Sequence, residues 1–122
     1  MNPLLTTGSA CTFSNGNLET AVSNIGSQRA WGTFGVSSGK WYFEYTQTSG
    51  SYAQGVGIKS TLDADNNNNY VYTGYDGTKV NVSGSATSYG ATWGINDVIG
   101  VAFDLDNATI TFYKNGASQG TA

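Results

Sequence analysis

The sequence predicts an all-β chain folded as an antiparallel two-sheet sandwich of jelly-roll-like type. Runs with apolar residues at every second position recur along it, turn residues separate them roughly every 8–12 positions, and no long segment repeats at the helical period of about 3.6. The 122 residues fall within the roughly 100–200 that one hydrophobic core serves.

The strands follow in order. Cys11-Thr12-Phe13 runs into the turn Ser14-Asn15-Gly16-Asn17 and then Leu18-Glu19-Thr20-Ala21-Val22, a hairpin with an Asn-Gly tip. After a Gly-rich link come residues 30–36, the turn Ser37-Ser38-Gly39, and Lys40-Trp41-Tyr42-Phe43-Glu44-Tyr45-Thr46, an aromatic run suited to a central strand. Residues 53–58 place small residues between aliphatics, as expected where another layer packs closely. A polar loop over residues 62–69 leads to strands at 70–75 and 79–82, joined by the turn Asp76-Gly77-Thr78, and a Gly/Ser loop spans 83–88. The last third is the most regular. Ile99, Val101, Phe103 and Leu105 share one face at period two, Asp106-Asn107 reverses the chain, Ile110 and Phe112 return on the inner face, and Asn115-Gly116 begins another tight turn.

Composition removes most catalytic chemistry. The chain has no His, one Cys and one Pro against 17 Gly, so zinc sites, His-based catalysis and internal disulfides lose their usual residues. Cys11 is either a small buried apolar residue or a free thiol. A net charge of −3, with Arg29, Lys40, Lys59, Lys79 and Lys114 widely spaced, argues against nucleic acid. No run approaches the about 20 apolar residues of a membrane span, and Met1 to Cys11 lacks the pattern of a signal peptide.

The segments Ser38-Gly39-Lys40-Trp41-Tyr42-Phe43-Glu44 and Gly55-Val56-Gly57-Ile58, the run from Asp97 to Asn107, and the run from Thr109 to Gly116 together resemble the SPRY domain. That family is a two-sheet sandwich related to the concanavalin A-like lectins and glucanases. The likeness runs from about Phe13 to Ala122, and Phe13-Ser14-Asn15-Gly16-Asn17-Leu18 with the plain Gly/Ser/Thr/Asn style of the chain resembles the SPRY modules of bacteriophage virion proteins more than those of animal ubiquitin ligases or receptors. The sequence departs from the pattern in two ways: Ala108 stands where members commonly have Gly, and the strands that members add beyond the Asn-Gly hairpin are missing. The expected organisation is therefore an N-terminal arm over residues 1–10 and a sandwich over residues 11–122, without its last strands.

Candidate sites are few. Glu19 and Glu44 lie on different strands and do not form the paired carboxylates of a glycoside hydrolase, and Asp104 with Asp106 reads as part of a turn. Asp63, Asp65 and the following asparagines offer oxygens at alternate positions but lack the Gly and closing Glu of a calcium loop. Asp76-Gly77 is a turn pair. No catalytic, metal or cofactor residue is assigned. Trp41, Phe43, Phe103 and Phe112 are expected in the core, whereas Tyr52, Tyr70, Tyr72, Tyr75, Tyr89 and Trp93 flank loops and are the candidate binding residues. The resemblance implies that loops at one end of the sandwich bind protein segments, which directs attention to Tyr52 and to residues 63–75 and 83–93.

The functional expectation is a non-enzymatic module on the surface of a phage particle, in a capsid decoration or fibre. Its expected partners are other virion proteins or copies of itself in a homo-oligomer or larger assembly, together with a host-surface glycan or protein. Neither nucleic acid nor membrane insertion is expected. The alternatives are a lectin-like receptor-binding domain and an intracellular SPRY adaptor that grips a short peptide.

Overall fold

Alternating apolar residues need a second layer to cover them, and in this protein the layers are antiparallel sheets. A computed structural model describes residues 1–7, 11–22, 29–50, 54–60, 69–81 and 84–122. The chain divides at the Ser37-Ser38-Gly39 turn into two units, Met1–Val36 and Ser37–Ala122.

The first unit holds β1 (Asn2–Thr7), β2 (Cys11–Ser14), β3 (Glu19–Val22) and β4 (Arg29–Trp31). The β2–β3 hairpin has the expected register, with Phe13 opposite Thr20 and Ser14 opposite Glu19. Its tip is one helical turn in which Asn15, Gly16 and Asn17 all have positive φ (48°, 62° and 67°). Asparagine and glycine tolerate that region better than other residues, which is why the sequence turns here. The segment expected as an N-terminal arm contains β1, which pairs antiparallel with β4, and the Met1 ammonium donates to the Asn17 carbonyl at 2.6 Å. The strand expected over residues 30–36 is shorter than the sequence suggests. Its pairing ends at Trp31, where Gly32 follows with no side chain to support a ladder. Cys11 is a free, half-buried thiol.

The second unit carries two four-stranded antiparallel sheets. In chain order its strands are β5 (Lys40–Thr46), β6 (Gly55–Lys59), β7 (Asn69–Thr73), β8 (Thr78–Val80), β9 (Ala86–Ser88), β10 (Val98–Asp104), β11 (Thr109–Lys114) and β12 (Ala117–Thr121). One sheet is ordered β12-β11-β10-β5 and the other β6-β7-β8-β9. Opposite residues in the first sheet set one face as Trp41, Phe43 and Tyr45 on β5, Ile99, Val101 and Phe103 on β10, and Ile110 and Phe112 on β11. This is the face predicted from period two. Ile99, Val101 and Phe112 are fully buried and join Val56, Tyr72, Trp93 and Ile110 in one core. Burying each such side chain stabilises the fold by about 1.5–3 kcal/mol.

Aromatic rings form the middle of that core. Tyr72 meets Tyr89 edge-on at 5.3 Å and Phe112 at 5.4 Å, and Trp93 meets Tyr45 edge-on at 5.8 Å. Trp41 and Phe43 depart from their expected place in the core. They sit on β5, at the edge of its sheet, and remain 44% and 37% exposed. The strand β9 falls where a Gly/Ser loop was expected, because small polar residues carry no strand signal and the ladder of β8 supplies the order. Beyond Asn115-Gly116, a turn with both φ values positive (49° and 82°), the chain returns as β12 along β11.

Candidate binding site

Three stretches of loop meet beside the aromatic core, and backbone hydrogen bonds fix where they meet. The Gly74 amide donates to the Gln54 carbonyl at 2.8 Å, and the Trp93 amide donates to the Gly74 carbonyl at 3.0 Å. Gly74 has to be glycine, because a Cβ would press into the Trp93 carbonyl and indole ring at 2.7–2.8 Å. The amides of Tyr89 and Gly90 both donate to the Gly77 carbonyl, which lays the segment before Trp93 along the β7–β8 turn.

The result is an open cavity of about 420 Å³. Gln47, Gly50 and Gln54 line one side, Gly74 and Tyr75 another, and residues of the 92–97 loop with Lys114 close the rest. Gln47 is only 5% exposed. Its Nε2 donates to the carbonyls of Ser49 and Gly50, and its own carbonyl accepts the Asn96 amide at 2.8 Å. A buried amide with these partners ties two walls together. Tyr45 Oη donates to Gln54 Oε1 at 2.7 Å, and burial raises the Tyr45 phenol above its ordinary pKa.

The 92–97 loop is clamped from below. Asp97 Oδ2 accepts the Gly94 amide at 2.9 Å, Asp97 Oδ1 accepts Asn115 Nδ2 at 2.7 Å, and Lys114 Nζ lies 3.3 Å from Asp97 while donating to the Thr92 carbonyl at 2.7 Å. The Gly94 amide, then the Asn115 side chain, and to a smaller extent Lys114, hold the Asp97 carboxyl below the usual carboxylate range against the opposing effect of burial. The carboxylate is therefore charged at neutral pH and committed to holding the loop.

Above this polar base the rim is apolar and open. Tyr75 is 77% exposed and Ile95 53%. Trp93 forms a wall, and its buried Nε1 has no acceptor among the described residues. Rigid walls, committed polar groups and two exposed apolar side chains suit non-covalent capture of a ligand with an apolar anchor.

The candidate residues from sequence divide accordingly. Tyr75 and Trp93 line the cavity. Tyr72 is fully buried, its hydroxyl donating to the Ala91 carbonyl, so it supports the site from the core instead of offering a surface. Tyr89 is half-buried; its hydroxyl donates to the Gly120 carbonyl and accepts the Phe112 amide, and Lys79 Nζ lies 5.3 Å from its ring centre. Tyr70 lies apart, beside a smaller cavity of about 190 Å³ shared with Lys79, Phe112 and Ala122. Tyr52, Asp63 and Asp65 lie outside the described residues. Sequence reasoning missed Gln47, Gln54, Ile95, Asp97 and Lys114. Of these only Ile95 left a local signal, as a lone aliphatic between Gly94 and Asn96.

The remaining acids lock turns. Asp104 accepts the amides of Asp106 and Asn107 and pairs with Lys40 at 3.3 Å, Asp106 accepts the Gly39 amide, and Asp76 accepts the hydroxyls of Thr73 and Thr78. Among the described residues no group of three or more His, Cys, Asp or Glu is placed to hold a metal ion, and no helix is long and apolar enough to cross a membrane.

The SPRY domain family model matches residues 30–122. Ran-binding protein 10 of Danio rerio is 35% identical over 105 residues, which cover 79% of this chain and 17% of that protein. Ran-binding protein 9 of Homo sapiens is also 35% identical over 105 residues, or 14% of its length. The E3 ubiquitin-protein ligase RKP of Arabidopsis thaliana is 37% identical over 96 residues, covering 71% of this chain and 7% of the ligase. The chain thus spans less than a fifth of the length of these curated relatives. The crystal structure of the SPRY domain of human HERC1 matches with a TM-score of 0.79 at 19% identity, over 99% of this chain and 79% of that one, a likeness of fold. With the family model covering the whole second unit, and the sheets, turns and loop-built cavity as described, this chain belongs to the SPRY domain family.

Proposed function

We propose that the chain is a non-enzymatic protein-interaction domain that holds a short segment of a partner protein in the Trp93 cavity. The observation that carries this reading is the pairing of a rigid, internally hydrogen-bonded wall with an open rim formed by Tyr75 and Ile95. Such a site binds by burying a few apolar anchors, with little ordering cost on its own side. SPRY domains mediate protein–protein interaction, and the Ran-binding and ubiquitin-ligase relatives are long proteins in which this domain is a small part. Binding without catalysis is supported by the carboxylates Asp97 and Asp104, each committed to backbone amides and a lysine. A place in a phage virion is a finer reading that rests on the style of residues 13–18 and of the Gly/Ser/Thr/Asn-rich sequence, and the animal and plant relatives lend it no weight.

Selection from a random peptide library on the immobilised chain tests the reading. Enriched peptides are expected to lose about tenfold or more in affinity on Tyr75→Ala combined with Ile95→Ser, with the thermal midpoint unchanged. Peptides that bind the double variant as tightly as the parent would overturn it.

A further inference from the structure

The sheet β12-β11-β10-β5 has an outer face, turned away from the core, that carries an aromatic and acidic cluster sharing no residue with the Trp93 cavity. Its register places Tyr42, Ala102 and Thr111 in one row and Glu44, Gly100 and Tyr113 in the next. The outer end of the Tyr42 ring occupies the space that a Cβ on Gly100 would need, so glycine there lets the ring lie across the strand. The ring meets Tyr113 edge-on, with centroids 6.5 Å apart and planes at 75°. Tyr42 Oη donates to Glu44 Oε1 at 2.9 Å. Tyr42 is nonetheless 55% exposed, and Glu44 is exposed beside it. The basic residue on the same face, Lys40, lies 3.3 Å from Asp104.

We propose that this face is a second interaction surface, which takes an arginine side chain of a partner protein laid against the Tyr42 ring with its charge on the Glu44 carboxylate. The chemistry selects that occupant. A carboxylate accepts at about four lone-pair positions and the Tyr42 hydroxyl occupies one, which leaves room for a bidentate guanidinium. A phenol whose proton is drawn toward a carboxylate has an electron-rich ring, which favours a cation on its face. An apolar occupant would strip water from Glu44 without compensating its charge, and an anion would be repelled by it. The chain as a whole carries −3, so the wider field adds to the attraction.

The test is an NMR titration of the full chain with acetyl-Arg-Gly-Arg-amide, run beside the same peptide with norleucine in place of arginine and beside a neutral oligosaccharide. The arginine peptide is expected to shift the amides of Gly100, Ala102 and Thr111. The shifts are expected to weaken several-fold on Glu44→Gln, on Tyr42→Leu and at high salt, and to persist on Tyr75→Ala, which separates this face from the cavity. Glu44→Gln keeps an acceptor for the Tyr42 hydroxyl, so it reports on charge even where Tyr42→Leu disturbs the sheet. An equal response to the norleucine peptide, a response to the oligosaccharide alone, or no response of these amides at saturating arginine peptide would each overturn the proposal.

Discussion

Ala108 has φ +52°, in the left-handed region where a Cβ crowds the neighbouring carbonyl oxygen. The turn between β10 and β11 is held there by Asp104, which accepts the amides of Asp106 and Asn107, and by Asp106, which accepts the Gly39 amide. The position thus has a glycine-favouring backbone while carrying alanine. Ala108→Gly is expected to raise stability by about 0.5–1 kcal/mol, after the greater chain entropy of glycine offsets part of the relieved strain. A urea titration measures it, and a lowered midpoint would show that the turn is not left-handed at this residue in solution. Tyr72 and Tyr75 show how far one residue's sequence neighbourhood informs. Both stand in the same Tyr-rich run, yet one is fully buried and the other 77% exposed. Tyr72→Phe removes a hydroxyl bonded to the Ala91 carbonyl and is expected to cost about 1 kcal/mol, while Tyr75→Phe leaves the urea midpoint unchanged. Equal effects would contradict this division between support and surface.

Among the elements, the 92–97 loop depends on groups supplied by the end of β11. Lys114 reaches the Thr92 carbonyl and Asp97, while Asn115 donates to Asp97 and accepts the Val98 amide at 2.9 Å. Because the folded Asp97 carboxyl has a depressed pKa, its contribution to stability is fully present above the unfolded value of about 3.9 and is lost as pH falls through the lower folded value. Asp76 and Asp104 are depressed as well, chiefly by Thr73 and by Asn107, so acid weakens several turns together. Asp97→Asn is expected to remove only its own share. The protection factor of the Gly94 amide should be high at neutral pH, fall in the parent as the pH drops through the depressed folded pKa of Asp97, and be low at both pH values in the variant. Protection of Gly94 that ignores pH would mean that the clamp does not hold the loop.

For the whole molecule, what the sequence disclosed and what it hid follow from the range of the forces involved. The alternation of Ile99, Val101 and Phe103, the return through Ile110 and Phe112, and the Asn115-Gly116 turn are written within a few residues, and the structure has them in place. The cavity is assembled from Gln47, Tyr75, Trp93 and Lys114, which lie on separate loops and meet only once the sheets have packed. Exposure of Trp41 and Phe43 is equally non-local, since the same alternation that buries Val101 and Ile99 serves an edge strand in β5. Position in the sandwich, not residue type, should therefore set the energetic weight of each ring. Phe112 is fully buried among Tyr72 and Tyr89, whereas Phe103, on the same face, is only half-buried and opposite the exposed Trp41. Phe112→Ala is expected to cost about 3–5 kcal/mol, a large part of the roughly 5–15 kcal/mol that holds a domain folded. Phe103→Ala leaves a site already open to water on one side and is expected to cost about 1–2 kcal/mol. Urea unfolding of the two variants compares them directly, and equal losses would mean that the core extends over the β5 edge in solution.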